Sequence, residues 1–255
     1  MLRPQALRRP CPRGAGPGCA DHGLPAPKQH PGEETTVSWN FGDIFDAIGP
    51  RLGDEPCLIH SNPGGRDRVL SWAEVDRRSN ALGRALLEQG AKAGDKVAVY
   101  AYNRPEWLEA TIACFKARLV PVNVNYRYRD DELHYLLDNS DSVAVLFEGT
   151  FSPNVERLSA AMPSLRTLVR IEDGGPRLEG ALAYEDLVAG PCEPLAVERS
   201  ADDLLILYTG GTTGMPKGVM WRQEDLFQTL GGGGDATGAG PRPRTLAEHV
   251  ANVRL

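Results

Sequence analysis

The stretch Asp203-Leu204-Leu205-Ile206-Leu207-Tyr208-Thr209-Gly210-Gly211-Thr212-Thr213-Gly214-Met215-Pro216-Lys217-Gly218-Val219-Met220-Trp221 decides how the chain reads. An apolar run, residues 204–208, stops at small and hydroxylic residues, the pattern of a buried strand emptying into a loop. A shorter apolar run, residues 219–221, returns the chain to the fold.

Each residue type in the loop suits a polyphosphate. Gly210, Gly211, Gly214 and Gly218 let the backbone come close and turn successive N–H groups toward one anion. Thr209, Thr212 and Thr213 add hydroxyl donors, or a ligand for a phosphate-bound Mg²⁺. Lys217, stiffened by Pro216, is a compact positive charge. A charge-assisted bond of this kind contributes about 1.5–3 kcal/mol. The alternative reading is an ordinary Gly-rich surface turn. A Walker A loop ends in Gly-Lys-Ser/Thr, whereas Lys217 stands between Pro216 and Gly218, and no G-x-G-x-x-G is present.

The 255 residues carry 41% hydrophobic residues, enough for a real core, and a net charge of −6. That balance gives no reason to expect a nucleic-acid partner, and it leaves room for a local anion site. No run is apolar for long enough to span a membrane. The five cysteines are scattered, without C-x-x-C spacing, and the five histidines form no ligand pair. Neither a disulfide framework nor a protein-built metal site is expected, and a reducing cytoplasm is the default compartment.

Residues 1–35 are broken by seven prolines and made basic by Arg3, Arg8, Arg9 and Arg13. They read as a disordered extension, lacking the apolar centre of a signal peptide. The globular part opens near Val37. Phe41, Ile44, Phe45 and Ile48 recur at helical spacing. A strand is expected over residues 56–60 and a turn over 62–65. Ser71 to Glu74 has the form of a capping box, with Gly90 placed to end its helix. Strands are expected over 97–102, 120–124, 143–147 and 167–171. Between them lie helices that start after Asn103 as N-cap, at Asp130 and at Pro153. Trp107, Leu108, Thr111, Ile112 and Phe115 trace the expected buried face of the first of these. A short helix is expected near 184–188. The order alternates β and α, which predicts an α/β fold with a mostly parallel sheet flanked by helices. Ligands of such sheets sit beyond the carboxyl ends of strands, where the Thr/Gly loop lies. Past Gln223 a short helix, the run Gly231 to Gly234 and a Gly/Pro-rich tail, 231–255, follow. The four glycines read as a flexible loop or a second phosphate cradle.

Residues 208–218 resemble the phosphate-binding core motif of the adenylate-forming (AMP-binding) superfamily, Tyr-Thr-(Ser/Gly)-Gly-(Thr/Ser)-Thr-Gly-x-Pro-Lys-Gly, throughout. The resemblance extends over 37–230 through Leu70 to Val75, Gly94 to Val99, Asn103 to Trp107 and Phe115 to Asn123, with Arg118-Leu119 where Gly-Ala is usual. Asn123 to Arg127 and Gly218 to Arg222 look most like an acyl-CoA synthetase of a bacterial fatty-acid or steroid-side-chain type. Gln223 stands where many relatives have His.

The resemblance implies a two-step ligase. A carboxylic acid, ATP with Mg²⁺ and coenzyme A would give an acyl-adenylate and then a thioester. Thr209, Gly210, Gly211, Thr212, Thr213, Gly214 and Lys217 would hold the phosphates, and Lys217 would stabilise the leaving pyrophosphate. It also implies that the groups for adenine, ribose, acyl chain and thiol, and the C-terminal lid, lie downstream of Leu255. The expectation is therefore an N-terminal fragment of the large domain, inactive alone. Other readings are a non-catalytic nucleotide-binding or interaction module, an amino-acid or aryl-acid adenylating enzyme, and an unrelated P-loop NTPase, which Pro216-Lys217-Gly218 disfavours.

Overall fold

A computed structural model describes residues 38–61, 65–211, 214–234 and 242–253. The expected extension, residues 1–35, lies outside them. Helix α1, Phe41–Leu52, is capped by Asn40, whose Oδ1 accepts the Gly42 N–H at 2.7 Å. Strands β1, Pro56–His60, and β2, Arg68–Ser71, pair antiparallel as a separate hairpin. Ser71 ends that hairpin and caps α2, Trp72–Glu88, by accepting the Glu74 N–H at 3.2 Å. Gly90, at φ 90°, turns the chain out of α2.

The main sheet is then built in alternation. It comprises β3, Lys96–Tyr100; α3, Pro105–Lys116; β4, Val120–Asn123; α4, Asp130–Asn139; β5, Ser142–Glu148; α5, Ser152–Ser159; and β6, Thr167–Ile171. The two-residue strand β7, Leu182–Ala183, and α6, Tyr184–Val188, lead through a linker to β8, Leu204–Gly211, β9, Gly214–Arg222, and α7, Gln223–Thr229. The last helix is α8, Leu246–Asn252. Seven strands lie in the order β7-β6-β5-β3-β4-β8-β9, parallel except where β9 returns antiparallel to β8. The expected mostly parallel sheet is thus what forms.

Period-two alternation sends the strand side chains to two cores. Val97, Val99, Ala144, Leu146, Val169 and Ile171 pack under α2, α3 and α6. Ala98, Val122, Val145, Phe147, Ile206 and Tyr208 pack under α4 and α5. Burying each large aliphatic side chain stabilises by about 1.5–3 kcal/mol, so packing rather than helix propensity holds these short helices. Leu246 and Val250 of α8 join a third cluster with Trp39, Ile44 and Phe227.

Three local expectations change. The N-cap of α3 is Arg104, not Asn103, and no side chain caps it. The buried side of α3 is wider than the expected one: Ile112 and Phe115 are buried as expected, Leu108 is 41% exposed, and Glu106, Glu109 and Lys116 are buried as well. Arg78 explains part of this, because its Nε donates to both Glu109 carboxylate oxygens at 2.9 and 3.0 Å. Lys116 is held by Asp76 and by Asn80 Oδ1 at 2.9 Å. The Gly231 to Gly233 segment forms a tight turn at positive φ, in which Gly232 N–H returns to the Phe227 carbonyl.

Arg118, in place of the usual glycine, sits at φ 57°. Its guanidinium reaches Asp203 Oδ1 at 3.0 Å and the Glu198 carbonyl at 2.8 Å, contacts that oppose the strain of a left-handed side-chain residue.

Candidate phosphate-binding site

The Thr/Gly stretch is a β-hairpin rather than a strand followed by a long loop. The ladder runs from Leu204 opposite Arg222 to Gly211 opposite Gly214, with a break in register between Thr209 and Gly211. The antiparallel partner explains the difference: β9 supplies backbone bonds that hold even Thr and Gly residues extended. Only Thr212 and Thr213 separate the strands, and both lie outside the described residues.

Pairing decides which groups meet. Thr209 stands opposite Lys217, so their side chains leave the sheet on the same face, and both are exposed. The neighbouring pair, Tyr208 and Gly218, faces the other way and is buried. Gly218 has a packing reason to be glycine: a Cβ there would come 2.9 Å from the Tyr208 ring and 3.1 Å from Ile206. Gly214, at φ 145°, opens β9 in a conformation side-chain residues rarely adopt. Gly210 and Gly211 complete the described part of the tip.

The hairpin projects because β4 stops beside it. β4 pairs with β8 only through Val122–Ile206 and Asn123–Leu207. Asn123 then uses its side chain in place of the missing strand, its Oδ1 accepting the Tyr208 N–H at 2.6 Å. The Tyr208 hydroxyl donates to Asn139 Oδ1 at 2.8 Å, and burial pushes its pKa up, so it remains a donor. From Thr209 onward the side of β8 facing β4 has no strand beside it among the described residues.

The carboxyl ends of β3, β4 and β5 frame the same end of the sheet. The helix after β3 lies on one face and the helices after β4 and β5 on the other, which makes this a topological switch point. Tyr102 and Tyr126 meet there with ring centroids 4.6 Å apart, and Arg127 lies over the Tyr126 ring at 5.2 Å. The Tyr102 N–H donates to Glu148. A separate cleft of about 310 Å³ opens between β1 and the start of α3, lined among others by Ile59, His60, Trp107 and Leu108. No Thr/Gly residue lines it.

The structure therefore brings Thr209 and Lys217 together and sets Gly210, Gly211 and Gly214 beside them. Asn123 and Tyr208 fall in stretches that resemble the family, but their roles in anchoring this hairpin carry no signal at the level of sequence, because their partners are remote in the chain. Among the described residues no group of three His, Cys, Asp or Glu side chains could hold a metal ion.

This architecture, a parallel sheet ending in a Thr/Gly/Lys hairpin, defines an α/β domain of the adenylate-forming kind. The family model for the AMP-binding enzyme matches residues 45–247, and the chain belongs to that family. It is 40% identical over 216 residues to the medium-chain acyl-CoA ligase Mig of Mycobacterium avium, covering 78% of this chain and 38% of that protein. It is 46% identical over 170 residues to a 3-oxocholest-4-en-26-oate–CoA ligase of Rhodococcus rhodochrous, covering 65% of this chain and 31% of that one. Among solved structures, the anthranilate CoA ligase AuaEII in complex with anthranoyl-AMP superposes with a TM-score of 0.68 at 25% identity, over 76% of this chain and 37% of that one. The chain thus spans between about a third and two fifths of the length of these relatives. Among the described residues no helix is long and apolar enough to cross a membrane.

Proposed function

We propose that this domain provides the phosphate-binding part of an acyl-CoA synthetase, an acid–thiol ligase that activates a fatty or steroid-side-chain carboxylic acid. The observation that carries the reading is the exposed Thr209–Lys217 pair at the projecting end of β8 and β9. The names of the relatives supply the substrate class.

In the whole protein, a carboxylate oxygen of the acid attacks the α-phosphorus of ATP, and the bond to pyrophosphate breaks. The thiol of coenzyme A then attacks the acyl carbon, and AMP leaves. Charge collects on the pyrophosphate as the first bond breaks. Lys217, the Thr209, Thr212 and Thr213 hydroxyls and the amides of Gly210, Gly211 and Gly214 lower that barrier by meeting the charge with preorganised donors. Mg²⁺ supplies further neutralisation when it enters with the nucleotide. A cytoplasmic location accords with Cys57, Cys114 and Cys192 all being free thiols.

Acid-dependent ATP–pyrophosphate exchange by the whole protein, tried with fatty and sterol-side-chain acids, tests the reading. Exchange that requires the acid, followed by thioester formation with coenzyme A, is the expected result. ATP hydrolysis indifferent to the acid would instead mark a nucleoside triphosphatase, and ATP binding without exchange a non-catalytic nucleotide module.

A further inference from the structure

The Tyr128 hydroxyl lies beside the hairpin, near Gly210. It is shielded from solvent and finds no hydrogen-bond partner among the described residues. A buried hydroxyl left unbonded costs free energy, so such a group calls for an explanation. The rest of the residue is fixed from several directions. Its N–H donates to the Asn125 carbonyl at 2.9 Å, and its own carbonyl accepts from the Tyr100 hydroxyl at 2.7 Å and from Arg129 Nη1 at 2.9 Å. Its ring packs on the α4 side of the sheet, among the residues around Tyr208.

What the hydroxyl faces is Gly210. It lies 3.9 Å from where a Cβ of Gly210 would be, the nearest heavy atom to that position. Gly210 is also where the β8–β9 register breaks, two residues after the Tyr208 N–H that Asn123 covers. A hydroxyl with no partner among the described residues therefore stands beside the irregular length of β8. Burial raises the Tyr128 pKa, which keeps the proton on this oxygen at neutral pH.

We propose that Tyr128 is a positioning residue whose hydroxyl bonds the Gly210 backbone when the hairpin engages a polyphosphate, bracing β8 where β4 no longer supports it. The brace rests on the phosphate-binding reading above. The bond would offset the stranded hydroxyl only in the loaded state, so it adds to phosphate affinity rather than to the stability of the free fold.

The test compares the unaltered chain with Tyr128→Phe and Lys217→Ala, using inorganic pyrophosphate and MgATP as probes in calorimetric titrations. Amide hydrogen exchange at Gly210 and Gly211 is followed with and without pyrophosphate. Tyr128→Phe should weaken pyrophosphate binding about 3–10-fold, the worth of one neutral hydrogen bond. It should also abolish the protection that pyrophosphate confers at Gly210, and leave the urea midpoint unchanged or slightly raised. Equal affinity and equal protection in Tyr128→Phe, with Lys217→Ala weakened, would overturn the brace alone. Weaker binding with the protection retained, or a lowered urea midpoint, would overturn it as well. If the unaltered chain binds neither probe, the phosphate reading fails and the brace falls with it.

Discussion

Thr209 and Lys217 face each other across the β8–β9 ladder, eight positions apart in sequence and directly paired in space. The pairing sets a hydroxyl and an ammonium on one exposed face, whereas Tyr208 and Gly218, one step back, anchor the hairpin in the core. Exposed polar groups, proposed to bind, and anchoring groups thus alternate along the same two strands, and substitutions should separate them.

Lys217→Ala should weaken pyrophosphate binding by about 10-fold or more, the loss of a charge-assisted bond. Because the residue is exposed, the urea midpoint should hardly move. Titration calorimetry beside urea unfolding checks both halves, and unchanged affinity would remove Lys217 from the site.

Gly218→Ala should act in the opposite sense. The added methyl meets the Tyr208 ring and Ile206 at about 3 Å, where neither can withdraw without disturbing the sheet. A loss of about 1–3 kcal/mol in unfolding free energy is expected. A stability equal to that of the unaltered chain would show that the ring has room to shift.

Glu109 is fully buried between Arg78 and the Tyr184 hydroxyl, and it joins α2 and α3 to α6. Glu109→Leu alone leaves the buried Arg78 with the half-exposed Glu185 as its remaining carboxylate and the Tyr184 hydroxyl without its acceptor, and should cost about 3 kcal/mol. Adding Arg78→Met should restore a substantial part of the loss, since a well-packed apolar pair avoids the desolvation penalty. Chemical denaturation of the two single variants and the double variant measures the coupling.

Acid should destabilise the fold through Glu106. Burial pushes this carboxyl up, but bonds from the Arg104 guanidinium, its own backbone and Arg68 outweigh that and bring its pKa down to about 2, from an ordinary 4.5. A folded value below the unfolded one means the contribution is complete above the unfolded value. It is lost as pH falls through 4.5 toward about 2. The contribution is of the order of 2 kcal/mol after allowance for solvent screening. Urea midpoints from about pH 6 to about pH 2 should fall less steeply in Glu106→Gln.

Much of the sheet was legible because its signals are local. The apolar runs of β3, β4, β5 and β6, the cap at Ser71 and the acidic first turn of α4 from Asp130 depend on neighbours in the chain. β2 and β7 were not legible. Arg68–Ser71 and Leu182–Ala183 are short, and they become strands only through pairing with β1 and β6. One edge of the α3 face was misread for a similar reason. Leu108 looks like core and Glu109 like surface until Arg78, 31 positions earlier, is placed beside the carboxylate.

The sequence by itself determined the α/β order, the family through residues 208–218 and the residue types that suit a polyphosphate. All three follow from chemistry and spacing within a few residues. The tertiary structure alone decided that the Thr/Gly stretch is a hairpin, that Thr209 and Lys217 share a face, and that Asn123 and Tyr128 stand where β4 gives out. Those facts depend on strand pairing and on where a neighbouring strand ends, and hydrogen bonds between remote segments leave no mark on local sequence.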